Sequence, residues 1–234
     1  MQVLVLDFDC TLSQRCSYKT THEGYVDYDR AAGFSHIPPE DRHKNKQFAE
    51  WIMGGKTRIK SVEKWFNNIS KYCKIEICTW SKSEHVLSIL KLTNFMQYIV
   101  RIHGRNGRSS PATVVENGIL RVENKFVEKS EWLNNMKSSF VLFVDDNVSN
   151  YENANVLCFD NAANGLTYNN NGLTPDMMEK IASILHENHT CIHSDILDAV
   201  RWEQKIQRDM KDKQQILTTD PKISYGTEHY LSLH

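Results

Sequence analysis

The sequence predicts an α/β fold: a Rossmann-like parallel sheet flanked by helices, with a small cap or flap inserted after the first strand and a helical extension at the C-terminus. Three observations lead there. Short continuous apolar runs recur at Val3–Leu6, Ile75–Thr79, Tyr98–Ile102, Phe140–Val144 and Val156–Phe159, as strands covered on both faces require. Helical stripes separate several of these runs, and strand–helix alternation builds parallel sheets with crossover connections. Acids or a hydroxyl stand at the ends of three runs: Asp7 and Asp9, Thr79, and Asp145 with Asp146. The strand ends of an open parallel sheet are where ligands bind.

Each element has a local reason. The segment 57–72 puts Ile59, Val62, Trp65, Phe66, Ile69 and Tyr72 on one helical stripe. A second helix is expected from Ser81, which forms a capping-box pattern with Glu84 ahead of Val86, Leu87, Ile89 and Leu90. A short third helix is expected at Ser149, with Glu152 in the matching position. The insertion, about 13–56, is long and polar, carries Pro38-Pro39 and Gly54-Gly55, and holds a helix near Asp41–Met53. The stretch 103–127 reads as a basic loop and then a hairpin, Thr113–Val115 and Ile119–Val122 around Asn117-Gly118. A core of residues 1–160 thus precedes an extension, 161–234. Asn/Gly-rich at first, the extension has a helix starting at Thr174-Pro175, a second over about 194–217 with a narrow apolar stripe, and a tail without a clear period.

The 234 residues carry 28 Lys+Arg against 29 Asp+Glu, a formal charge of −1, with 40% hydrophobic and 24% charged residues. This is globular composition, and its neutrality argues against a coat for nucleic acid. No apolar run reaches the roughly 20 residues that span a bilayer. The N-terminus has no basic region ahead of its apolar stretch, so it is not read as a signal peptide. Six cysteines without a C-x-x-C pair read as reduced thiols, which places the chain in a reducing, cytoplasmic compartment. The Asn-x-Ser/Thr matches at Asn68, Asn147 and Asn188 then read as accidental.

The strongest signal is chemical. Asp7 and Asp9, at i and i+2, leave the first strand on the same side. Asp145-Asp146 follow another apolar run, and Lys129 precedes Asp145 by sixteen residues. Such a set suits phosphoryl transfer. One carboxylate can form an aspartyl-phosphate, and a second can protonate the leaving oxygen and then activate water. Clustered acids call for a cation, and Mg²⁺ takes oxygen ligands. A lysine and a hydroxyl hold the remaining phosphoryl oxygens.

These motifs resemble the haloacid dehalogenase (HAD) superfamily. Its D-x-D-x-T stands here as residues 7–11, its strand-ending Thr as Thr79, its lysine as Lys129 (Lys125 is a weaker match), and its paired acids as Asp145-Asp146. Within it, the chain looks most similar to the compact phosphatases of the RNA polymerase II tail and of polynucleotide kinase-phosphatases. The resemblance implies a Mg²⁺-dependent phosphomonoester phosphatase. Asp7 would be the nucleophile, Asp9 the general acid and base, and Thr11 a loop support. Thr79 and Lys129 would bind the phosphoryl group, with Trp80 beside them. Asp7, the Asp9 carbonyl and Asp146 would hold the metal, Asp145 being the alternative ligand or the orienting acid.

The small cap points to a bulky substrate such as a phosphoprotein, with a nucleic-acid end or a nucleotide as the alternative and no membrane partner. Arg101, Arg105 and Arg108, in RIHGRNGR, read first as solvated loop charge and second as contacts to a phosphate-rich substrate or acidic peptide. Cys10 is a bystander, since the chemistry uses no thiol. A phosphorelay receiver uses similar residues but carries its acid pair first and its phospho-accepting Asp on a middle strand, the reverse of this order. A silent Mg²⁺- or phosphate-binding module would ordinarily lose an acid, and all four are present.

Overall fold

The computed structural model describes residues 2–16, 32–105, 112–116, 118–123, 128–150, 152–160 and 172–190. The strands are β1 (Gln2–Leu6), β2 (Cys73–Cys78), β3 (Ile99–Arg105), β4 (Ala112–Glu116), β5 (Ile119–Glu123), β6 (Phe140–Asp145) and β7 (Leu157–Asp160). The α-helices are α1 (Lys46–Ile52), α2 (Lys56–Ile69), α3 (Ser83–Leu92), α4 (Lys129–Asn134) and α5 (Pro175–Thr190). Among the described residues the strands form one sheet, ordered β5-β4-β3-β2-β1-β6-β7. β3-β2-β1-β6-β7 run parallel, and β4 and β5 add an antiparallel hairpin. The fold is the predicted Rossmann-like α/β sheet flanked by helices. The described residues lie within one compact unit, 1–192.

Strand alternation decides which side chains meet. Val3 and Val5 of β1, Cys78 of β2, and Val141 and Phe143 of β6 pack with Leu133 of α4 in one cluster, edged by Trp132 and Met136. Asp7 lies two residues past Val5 and Asp145 two past Phe143, so both fall on the face covered by α4. Lys129 is the first residue of that helix. On the helical layer α2–α5, Val62, Phe66, Ile69, Ile181 and Leu185 are buried and the two helices pack together. Gln2 joins this layer to the sheet, its Nε2 donating to the Leu185 carbonyl at 3.2 Å.

The turn after β1 is irregular. Asp9 is extended (φ −72°, ψ 127°) and Cys10 is left-handed (φ 60°), while Ser13 N–H donates to the Phe8 carbonyl at 2.8 Å. Arg58 of α2 staples this turn. Its Nη1 donates to the Leu12 carbonyl (2.8 Å) and the Met53 carbonyl (2.9 Å), and its Nη2 to the Leu173 carbonyl (3.4 Å). Leu173 N–H in turn donates to the Thr11 carbonyl at 2.8 Å.

Four expectations change in detail. The helix expected over Asp41–Met53 is a 3₁₀ stretch, Pro39–Lys44, followed by α1. The break falls at Asn45, whose side chain caps α1 by accepting from Phe48 N–H at 3.0 Å. The capping box at Ser81 does not form: α3 starts at Ser83, its N-cap is Lys82, and no side chain caps it. The Ser149 helix is a single 3₁₀ turn, Val148–Asn150. The basic loop begins later than expected, because β3 extends through Arg105 by pairing with β4. The hairpin and the Thr174-Pro175 start occur as expected. Gly118 takes the turn's positive φ (76°), and Thr174 Oγ1 accepts from Met177 N–H at 3.3 Å. Arg108, Lys125, the segment 161–171, the 194–217 helix and the tail fall outside the described residues.

Among the described residues no helix is long and apolar enough to cross a membrane. Among the described residues, Cys10, Cys16, Cys73, Cys78 and Cys158 form no disulfide with one another.

The staple gives a stability test. Gly172 has φ +62°, and a Cβ there would lie 2.5 Å from Arg58 Nη2 and 2.7 Å from the Ser13 carbonyl. Gly172→Ala therefore costs about 2–4 kcal/mol in urea unfolding. An unchanged midpoint would show that the staple does not constrain the turn.

Candidate active site

β1 and β6 are adjacent and parallel, with Leu6 beside Val144. Asp7 N–H donates to the Val144 carbonyl at 2.8 Å, extending the pairing one step past β1. This sets the Asp7 and Asp145 side chains side by side under the start of α4. Lys129 Nζ bonds Asp7 Oδ1 at 2.7 Å and Asp145 Oδ2 at 2.7 Å. The three side chains are 3%, 7% and 0% exposed for Lys129, Asp7 and Asp145, so this is a buried ion triad.

Asp145 is fully engaged. Its Oδ1 accepts from Asn147 N–H (2.8 Å) and Asn150 Nδ2 (2.9 Å), and its Oδ2 from Lys129 and Asn150 Nδ2 (3.0 Å). These four contacts match the four lone-pair positions of a carboxylate. Asp146 is half-buried. One carboxylate oxygen each from Asp7, Asp145 and Asp146 lies within 4.8 Å of the others.

The electrostatics follow from burial. Burial holds the Asp7 carboxyl well above the ordinary carboxylate range; Lys129 opposes this, and the nearby Asp145, Asp146 and Asp9 add to it. For Lys129, burial disfavours the charged form, but Asp145 and Asp7 together outweigh it and raise the ammonium above its usual value. Asp7, Asp145 and Asp146 thus bring three carboxylates together beside one ammonium. That donor set fits a divalent cation with oxygen preference, Mg²⁺ among them.

Of the other expected residues, Trp80 lies beside the triad, its ring centre 5.9 Å from Lys129 Nζ. Thr79 is buried at the end of β2, its N–H donating to the His103 carbonyl at 2.8 Å and its Oγ1 accepting from Ser81 N–H at 3.1 Å. Asp9 is half-buried and accepts from Ser81 Oγ. Thr11 is fully buried in the turn, where its carbonyl accepts from Leu173. Trp80 donates its Nε1–H to Asn150 Oδ1 at 2.9 Å, and the Arg105 guanidinium lies 4.7 Å over its ring.

Arg105 is buried at the end of β3. Arg101 stands four residues lower on that strand, about 13 Å away by strand rise. It pairs with Glu116 at 2.6 Å on the surface and stands away from the sheet edge that carries the acids.

Two polar residues in this network carried no functional signal in the sequence. Asn150 bridges Asp145 to Trp80, but it falls in the stretch after Ser149 that reads only as a short helix. Ser81 touches Asp9, but its spacing to Glu84 pointed to a helix cap.

No family model and no curated protein matches the chain. The solved structures similar to it include two forms of one domain. One is the HAD domain of the effector protein Lem4 from Legionella pneumophila, with 14% identity, 71% of this chain and 89% of that chain covered, and a TM-score of 0.42. The other is an inactive mutant of the same domain, with 14% identity, 80% and 97% covered, and a TM-score of 0.45.

Two predictions test these electrostatics. Lys129→Met leaves buried acids without their counter-charge, so the metal-free protein loses about 3–5 kcal/mol in denaturant unfolding. An equally stable variant would rule out the buried triad.

The second concerns His103, which is buried and stacked on Trp132 (centroids 4.7 Å apart, planes at 14°). Its ring nitrogens have no hydrogen-bond partner among the described residues. Burial, with Arg105, Arg101 and Lys129 nearby, lowers its pKa to about 4. The unfolded chain therefore takes up this proton first as pH falls from about 6.5. His103 contributes stability above that pH and loses about 3 kcal/mol of it by pH 4. His103→Phe keeps the ring stack, so its unfolding free energy is expected to fall less steeply than that of wild type over this window. Parallel pH curves would contradict the assignment.

Proposed function

We propose that the protein is a Mg²⁺-dependent phosphomonoester phosphatase of the HAD type, acting through an aspartyl-phosphate on Asp7. The observation that carries this reading is the meeting of Asp7, Asp145, Asp146 and Lys129 at one sheet edge, from segments more than 120 residues apart, as the 122-residue separation in the Lys129–Asp7 contact shows. D-x-D-x-T supplies the first acid, and the chain order agrees with the HAD motifs throughout.

In the reaction, Asp7 attacks phosphorus while the bond to the leaving oxygen breaks, and Asp9 supplies that oxygen with a proton. Asp9 then takes a proton from water as the water attacks phosphorus and releases phosphate and free Asp7. Lys129 and Thr79 hold phosphoryl oxygens. Asp145, whose oxygens already serve Lys129, Asn147 and Asn150, orients the ammonium. Asp146, with Asp7 and the Asp9 carbonyl, would hold Mg²⁺. When bound, the ion screens the repulsion between the phosphate and the attacking carboxylate.

The described residues between Thr79 and Lys129 form α3, β3 and the hairpin, all continuous with the core. That favours a bulky substrate such as a phosphoprotein. A panel of phosphopeptides, 3′- and 5′-phosphorylated oligonucleotides and sugar phosphates separates this from a nucleic-acid-end or metabolite substrate.

The reading is tested with 4-nitrophenyl phosphate. Wild type hydrolyses it with Mg²⁺ present and stops when EDTA is added. Asp7→Asn lowers kcat by at least about a thousand-fold. Unchanged turnover in that variant would reject Asp7 as nucleophile.

A further inference from the structure

Asp9 has a demanding task in the proposed reaction, since it must present a proton to one oxygen of the leaving group and later recover one from water. A carboxyl turns about a broad, two-fold torsion, and Asp9 is only half-buried. Something must fix its plane.

Ser81 is placed to do so. It is 3% exposed, and its Oγ donates to Asp9 Oδ2. Its own backbone is held on both sides: its N–H donates to Thr79 Oγ1 at 3.1 Å, and its carbonyl accepts from Arg105 N–H at 2.9 Å. β3 presses directly on this turn, because a Cβ at Gly104 would lie 2.7 Å from the Ser81 carbonyl. The hydroxyl therefore stands on a rigid turn. It has no part in starting α3, which lacks a side-chain cap.

Resting on the phosphatase reading above, we propose that Ser81 is a positioning residue that holds the Asp9 carboxyl in the orientation its proton exchange requires. The hydroxyl has one hydrogen, and it is given to Asp9. In the first half-reaction the Asp7 oxygen–phosphorus bond forms and the phosphorus–leaving-oxygen bond breaks. The leaving oxygen's electron pair takes the proton of the Asp9 carboxyl. In the second, water forms the new bond to phosphorus, its proton goes to the Asp9 carboxylate, and Asp7 departs.

The test compares kcat/KM for phenyl phosphate, whose leaving group needs protonation, with that for 4-nitrophenyl phosphate, whose leaving group needs it far less. Ser81→Ala is expected to lower the phenyl value at least about 10-fold and the nitrophenyl value less than about 3-fold. Ser81→Cys keeps the volume and weakens the donor, so it shows the same selective loss should the alanine variant fold poorly. Equal losses on both substrates, or no loss on either, would overturn the proposal. Asp9→Ala is the benchmark. If it too shows no dependence on the leaving group, the assignment of Asp9 fails and Ser81 falls with it. If Asp9→Ala is selective and the Ser81 variants are not, the Ser81 proposal alone is wrong.

Discussion

One ammonium group holds this site together. Lys129 Nζ sits 2.7 Å from a carboxylate on each of two strands, with all three side chains nearly sealed from water. Buried ions cost several kcal/mol each unless they are paired and hydrogen-bonded, so the position of α4 and the ends of β1 and β6 are tied to one another. The register makes the pairing available: Asp7 and Asp145 project on the same face because Val5 and Phe143 do. A slip of one residue in either strand would send one acid to the opposite side. The arrangement also gathers carboxylate oxygens of Asp7, Asp145 and Asp146 within 4.8 Å of one another, and that oxygen donor set is what makes a divalent cation chemically reasonable at this edge.

Around the triad, the chain restrains the groups that would react. Asn150 donates to both oxygens of Asp145 and accepts from Trp80. Arg105, stacked on Trp80, also donates its N–H to Ser81. Arg58 and Leu173 hold the turn that carries Asp9 and Thr11. The Arg58 and Leu173 contacts join segments distant in sequence, which is how an irregular, left-handed turn at Cys10 keeps a defined shape. Such preorganisation lets polar groups stabilise developing charge without reorganising during reaction.

Much of this was readable in the residues. The apolar runs located every parallel strand to within a few positions, because a strand buried on both faces cannot hide its composition. The meeting of Asp7, Asp145, Asp146 and Lys129 was legible because the acids directly follow two apolar runs that pair as neighbouring strands. Capping and helix lengths were less so. Ser81 satisfied a local capping rule, yet its hydroxyl serves Asp9, 72 residues away. Ser149 had the same pattern, yet Asn150 was drawn to Asp145 and only one 3₁₀ turn forms. Arg101 and Arg105 looked like neighbours in a basic loop. Pairing with β4 made them strand residues with different fates, one in a surface ion pair and one buried on an indole. Local rules failed where a tertiary partner outbid them.

The central claim is that Asp7 accepts the phosphoryl group. Acid quenching during turnover, reduction of acyl phosphates with borohydride, and peptide mass spectrometry would locate it directly. Conversion of Asp7 to homoserine, dependent on both substrate and Mg²⁺, is the expected result. Turnover with Asp7 unmodified and the reduction product at another carboxylate would contradict the account.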